Sequence, residues 1–239
     1  MMAWRKIIPL LVGLMLVTAA AWADQNLLIK GIEAQKAGKN EQAVELLSRY
    51  LKQYPQMAEA RRPLALALAG LGRKTEALAE LNQGLAQEPR DIRLFLAKAN
   101  LLADLDRRPE AIEVLTQALK CDPKNAEVLK ERGECQAQEG CFPEAMSDLN
   151  RAAQLTPRDP WVYNKRGLVW FCQGEYRKAV EDFTTAIRLA PDAPYAYFFR
   201  GNMYRHHLGE TEKAIADYKK SCALGFPLAC GELEKLEAK

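Results

Sequence analysis

An all-α solenoid is predicted by two ladders and a recurrent turn. Ala43, Ala77, Ala111, Ala145 and Ala179 fall 34 residues apart, and Pro55, Pro89, Pro123, Pro157 and Pro191 keep that step twelve residues further on. Between the halves of each unit stands a turn residue: Gly38, Gly72, Gly140 and Gly174, with Asp106 in the third unit. Two residue types held in phase over five units mark one supersecondary element repeated, each copy burying its apolar side against the next.

Residues 1–23 read as an export signal. Arg5 and Lys6 give a positive start, Ile7 to Val17 an uncharged apolar run, and Ala21-Trp22-Ala23 a small-x-small cleavage site. The alternative is an uncleaved anchor, since the apolar run with its flank approaches the length of a span. The polar Asp24-Gln25-Asn26 favours cleavage after Ala23, which leaves no membrane span and places the protein in the periplasm or outside the cell. Removal of Arg5 and Lys6 takes away two of the three net positive charges. A near-neutral chain has no electrostatic footprint for nucleic acid.

After residue 23 each unit reads as two antiparallel helices. Gly31, Ala65, Ala99, Gly133 and Gly167 precede the ladder alanines by twelve residues and let the helices approach closely. Leu47, Leu81, Leu115, Leu149 and Phe183 follow the alanines by four and fill the space between them. The proline ends the second helix, because it cannot continue the backbone ladder. Arg61 departs from the pattern, standing where Leu27, Phe95, Leu129, Tyr163 and Tyr197 stand elsewhere, and Pro63 predicts a short or bent helix there. A sixth unit from Pro194 carries one extra residue near His206 and His207, so its alanine is Ala214 and its large residue Tyr218.

The stretch Tyr163…Gly167…Trp170…Ala179…Phe183…Ala186…Pro191 resembles the tetratricopeptide repeat, a 34-residue helix–turn–helix. The resemblance implies a right-handed α-solenoid of six repeats, at 24–57, 58–91, 92–125, 126–159, 160–193 and 194–226. Residues 227–239 follow as a capping helix and C-terminus, with Leu228, Leu233 and Leu236 facing inward.

Six cysteines in an exported chain suggest an oxidising compartment. Cys222 and Cys230 flank Phe226 symmetrically in the last turn, so antiparallel helices bring them together as a disulfide. The run between them is similar to the bridged helix pairs of Sel1-like repeats. The alternative is two buried free thiols. Cys121 and Cys135 occupy small or core positions, and the places of Cys141 and Cys172 leave a bridge between neighbouring repeats open. No Cys-x-x-Cys is present, and the histidines are an adjacent pair, so no metal site is expected.

By resemblance, the first helix of each pair lines a concave binding face. In the first four units that face is mixed: Gln35 and Lys36, Glu59 and Arg62, Arg93 and Asn100, then Glu127, Lys130 and Glu134. A solvated surface accounts for it. In the fifth and sixth units helical spacing gathers Trp161, Asn164, Lys165 and Phe171 beside Tyr195, Phe198, Asn202 and Arg205. Aromatic rings supply contact area, an asparagine pairs with peptide backbone, and a cation holds a carboxylate. A protein or peptide segment suits such a groove. The alternative is that these rings pack between repeats or under the final helix.

No Ser–His–Asp or Cys–His order and no phosphate-binding glycine loop are evident, so no enzyme activity and no cofactor are expected. His206 and His207 either cap a distorted helix or make binding at the groove mouth pH-sensitive. The expected function is an exported, non-enzymatic adaptor that holds a partner segment in bacterial envelope assembly or secretion. The alternatives are a homo-oligomeric scaffold, or an accessory protein that takes a glycan or lipid.

Overall fold

The computed structural model describes residues 25–237, and the predicted signal segment lies outside them. Among the described residues there is no strand, and no helix is long and apolar enough to cross a membrane. The architecture is an α-solenoid of helix–turn–helix pairs, in two compact units, Met1–Asp106 and Arg107–Lys239. The first holds α1 (25–36), α2 (Asn40–Gln53), a 3-10 turn (Ala58–Ala60), α3 (Arg61–Gly70), α4 (Lys74–Gln87) and α5 (Ile92–Ala103). The second holds α6 (Arg108–Cys121), α7 (Ala126–Gln138), α8 (Phe142–Leu155), α9 (Pro160–Cys172) and α10 (Tyr176–Leu189). It continues through α11 (Pro194–Met203), a π-helical turn (Tyr204–Leu208), α12 (Thr211–Ala223) and α13 (Pro227–Glu237).

The ladder residues form the core. Ala43, Ala77, Ala111, Ala145, Ala179 and Ala214 are fully buried, as are Leu47, Leu115, Leu149, Phe183 and Tyr218. Each such large side chain contributes about 1.5–3 kcal/mol by leaving water. Close approach explains the small positions. A Cβ on Gly201 would stand 2.8 Å from the ring of Tyr218. The turn residue takes a left-handed conformation, φ 76° at Gly174, and Asp106 takes it too at φ 58°, with a strain that glycine avoids.

Asp91, Asn125 and Asp159 cap α5, α7 and α9, each side chain accepting a hydrogen bond from a backbone N–H of the first turn. The departure at Pro63 has the predicted effect: α3 is short, a 3-10 turn precedes it, and the proline sits in its first turn, where no helical N–H is lost.

A second ladder, of charge, runs through the Arg107–Lys239 unit. Arg132, Arg166 and Arg200 each grip an aspartate of the following helix with two hydrogen bonds. The distances are 2.6 and 2.9 Å to Asp148, 2.8 and 2.6 Å to Asp182, and 2.9 and 2.8 Å to Asp217. The remaining nitrogen reaches back to the preceding helix, to Thr116, Asn150 or Thr184, at 2.9–3.0 Å. Each guanidinium therefore ties three successive helices, with the forked geometry that arginine alone offers.

The sixth pair's extra residue is taken up by the π-helical turn Tyr204–Leu208, closed by Gly209 at φ 69°. The α11–α12 packing upstream of that turn stays in register, and Gly201 still faces Tyr218. In α13, Leu233 and Leu236 pack against the buried cluster of Ala214, Tyr218 and Ala229. Leu228, expected to face inward, is 63% exposed, because it lies off the stripe of Ala229, Leu233 and Leu236 that forms the inward face of this helix.

Candidate functional site

Helices α9 and α11 each begin with a proline, which fixes the first backbone dihedral, and each presents an aromatic residue immediately after it. Trp161 stands clear of the fold at 52% exposure. Its ring lies 6.3 Å from Tyr195, Tyr195 lies 4.4 Å from Phe199, Phe199 lies 5.3 Å from Phe198, and Phe198 lies 5.0 Å from Phe226. This is a continuous aromatic run from an exposed end to the base of α13. Phe199 roots it in the core by stacking on Phe183 at 6.0 Å.

The run ends at a pocket of about 260 Å³. Phe171 from α9 and Phe198, Phe199, Asn202 and Met203 from α11 line it, with His206 and His207 from the π-helical turn and Glu232 from α13. The turn positions the imidazoles: His207 stacks on Tyr176 at 3.9 Å and meets Phe171 edge-on at 5.5 Å.

The sequence-predicted residues divide by what they already bind. Trp161, Tyr195 and Phe198 join the run, and Phe171, Phe198 and Asn202 line the pocket. Phe198 also packs beneath the cap against Tyr218 and Phe226. Asn202 accepts a hydrogen bond from the Tyr218 hydroxyl at 2.8 Å, and its amide nitrogen has no partner among the described residues. Burial pushes the Tyr218 hydroxyl up to about 12, so it stays a donor at neutral pH.

Asn164 is buried at 3% exposure, and its Oδ1 has no hydrogen-bond partner among the described residues. Neither predicted cation is free. Lys165 is held by Glu131, at 3.2 Å, and by Glu134. Arg205 is paired with the Glu232 carboxylate. That carboxyl lies below the usual range because the Lys235 ammonium donates to it, with Arg205 and His206 adding attraction against the opposing effect of burial. Glu232 and Met203 are pocket residues that the sequence reading did not place there; the extra residue in the sixth unit was the signal that the backbone departs from its pattern at this spot.

The Met1–Asp106 unit has a second groove of about 200 Å³, lined among others by Lys36, Glu59, Arg62, Pro63, Asp91 and Arg93. It collects residues that read as a solvated face. Arg93 is engaged by Asp91, which grips it at 2.8 and 3.1 Å, and Glu59 accepts from the Tyr50 hydroxyl at 3.4 Å.

The sulfurs of Cys222 and Cys230 stand 1.97 Å apart on α12 and α13, with their Cα atoms 4.9 Å apart. Cys121, Cys135, Cys141 and Cys172 take part in no disulfide. The bridge left open between Cys141 and Cys172 is absent: both are exposed and unbonded.

A family model described as "Tetratricopeptide repeat" matches residues 30–92, 96–160 and 171–225. A search of curated proteins gives no match. Solved structures share the fold. One is PilW, described as a widely conserved type IV pilus biogenesis factor, at TM-score 0.78 and 19% identity, covering 90% of this chain and 98% of that one. PilF of Pseudomonas aeruginosa aligns at TM-score 0.73 and 18% identity, covering 91% and 98%. YrrB, described as a tetratricopeptide protein with an unusual peptide-binding site, aligns at TM-score 0.58 and 18% identity, covering 80% and 100%.

Proposed function

The chain belongs to the tetratricopeptide repeat family, and we propose on that premise that it is an exported, non-enzymatic adaptor. It holds a segment of a partner protein along the aromatic run between Trp161 and the pocket beside α13, in the assembly of a bacterial envelope structure or in secretion. The observation that carries this reading is the exposure of Trp161 at the open end of a run of touching rings. A ring retained for core packing would be covered, whereas a large exposed aromatic continuous with others is what partner surfaces use. The likeness to a described pilus biogenesis factor and to a described peptide-binding protein supports the setting and the class of partner.

Export follows from the segment at residues 1–23. In an oxidising compartment Cys222 and Cys230 form a disulfide that fixes α13 to α12, and closing so short a loop contributes about 2–3 kcal/mol. Mass spectrometry of the unreduced protein is expected to find those two thiols bonded, and finding both free would remove the bridge from this reading.

The binding test compares the wild-type chain with Trp161→Ala/Tyr195→Ala, both purified from the native cell under mild cross-linking. The variant is expected to stay helical and folded, with some loss of midpoint from the Tyr195–Phe199 contact, and to lose one specific co-purifying protein. An unchanged set of co-purifying proteins would overturn the adaptor reading. A wild-type dimer by light scattering that becomes monomeric in the variant would replace it with self-association.

A further inference from the structure

The pocket beside α13 has the size and chemistry for one side chain rather than a whole ligand. Its 260 Å³ lies below the roughly 300–1,000 Å³ of small-molecule sites, yet far exceeds what a single water requires. Phe171, Phe198 and Phe199 line it, and Met203 adds to the apolar lining. Aromatic rings pack best against such walls, edge-to-face or offset. The Asn202 amide nitrogen at the edge is a spare donor, suited to a backbone carbonyl.

The charge at the rim decides what flanks that side chain. Glu232 is the single carboxylate in the lining, and two cations, Arg205 and Lys235, share it. His206 and His207 complete the edge. The local balance is therefore a surplus of cationic and donor groups. An incoming carboxylate gains a charge-assisted partner there, while an incoming lysine or arginine meets repulsion.

We infer that the pocket receives a large aromatic side chain of the partner segment, immediately followed by an acidic residue whose carboxylate faces Arg205, Lys235 and the two histidines. This deepens the adaptor reading and rests on it. The π-helical turn is the device that makes the pocket: it swings His206 and His207 to the edge, which a regular helix at this point would not do.

The test uses the purified chain and four fluorescein-labelled hexapeptides that differ only in a central pair: Phe-Asp, Ala-Asp, Phe-Lys and Ala-Lys. Fluorescence polarisation is expected to give Phe-Asp the tightest binding, about tenfold over Ala-Asp, since burying a phenylalanine supplies at least that factor. The exposed His206 allows a charge test that leaves the fold alone: His206→Glu is expected to weaken Phe-Asp and to bring Phe-Lys level with it or ahead. Equal binding of Phe-Asp and Ala-Asp would overturn the aromatic pocket. An unchanged preference in His206→Glu would overturn the acidic neighbour, and no binding by any of the four at millimolar concentration would overturn both. If the peptides fail while the Trp161→Ala/Tyr195→Ala comparison still loses a partner, the groove reading stands and the pocket assignment alone falls.

Discussion

Arg61 is the residue whose role was least legible in the sequence. It stands where Tyr163 and Tyr197 stand and reads as a polar break in an apolar position. Those tyrosines donate to the carbonyls of Pro157 and Pro191, at 3.1 and 3.2 Å, and Arg61 reaches the equivalent Pro55 carbonyl at 2.6 Å. Its other nitrogens are met by Glu80, Gln83 and Gln87, so a buried cation is fully paired. Arg61→Leu is expected to lower stability by about 2 kcal/mol, because Glu80, Gln83 and the Gln87 Oε1 lose their donor and the carbonyl keeps only the Gln87 amide. Arg61→Tyr should cost less, since a phenol can serve that carbonyl; equal midpoints for the two variants in urea would refute this. The cysteines give a second test at the same scale. Burial, with Glu134 and Glu131 adding repulsion, pushes the Cys135 thiol up to about 11. At pH 8, three units below that value, almost no thiolate is present to react. An alkylating agent should label the exposed Cys141 and Cys172 well ahead of Cys135, and rapid labelling of Cys135 in the native protein would mean that α7 opens readily.

At the scale of the element, the regular helices were legible because they repeat, and the irregular one announced itself as a break in the step. The one-residue excess in the sixth pair is the π-helical turn, which the 34-residue spacing locates but cannot shape. Deleting His206 restores the step. The deletion is expected to leave the helices folded and to cost no more than the roughly 0.5–1.5 kcal/mol of one aromatic stack, that of His207 on Tyr176, which the shift in register breaks. It should nevertheless abolish the peptide preference of the pocket. Gross loss of helicity by circular dichroism would mean that the turn is needed to seat α12 rather than to build the pocket. The arginine–aspartate ladder was equally present in the sequence, at 132, 166 and 200 against 148, 182 and 217, yet periodic charges read as a wet face until their geometry is known.

At the scale of the molecule, the fold was readable because the contacts of a repeat protein are periodic, so one unit's pattern dictates the others. The site was less so, for a physical reason. Whether a cation can bind a partner depends on how far the chain's own acids have claimed it: two acids hold Lys165, whereas Arg205 shares Glu232 with Lys235. Asn164 is covered at a position where spacing alone places it on the surface. What remains of the predicted constellation is its aromatic part with Asn202, the surface that we propose faces a partner. The most direct measurement is photo-crosslinking in the native cell, with the probe at exposed Trp161 and a control at exposed Glu181 on α10. A discrete protein adduct from position 161 and none from position 181 is the predicted result. Equal adducts from both positions, or none from position 161 in folded protein, would contradict it.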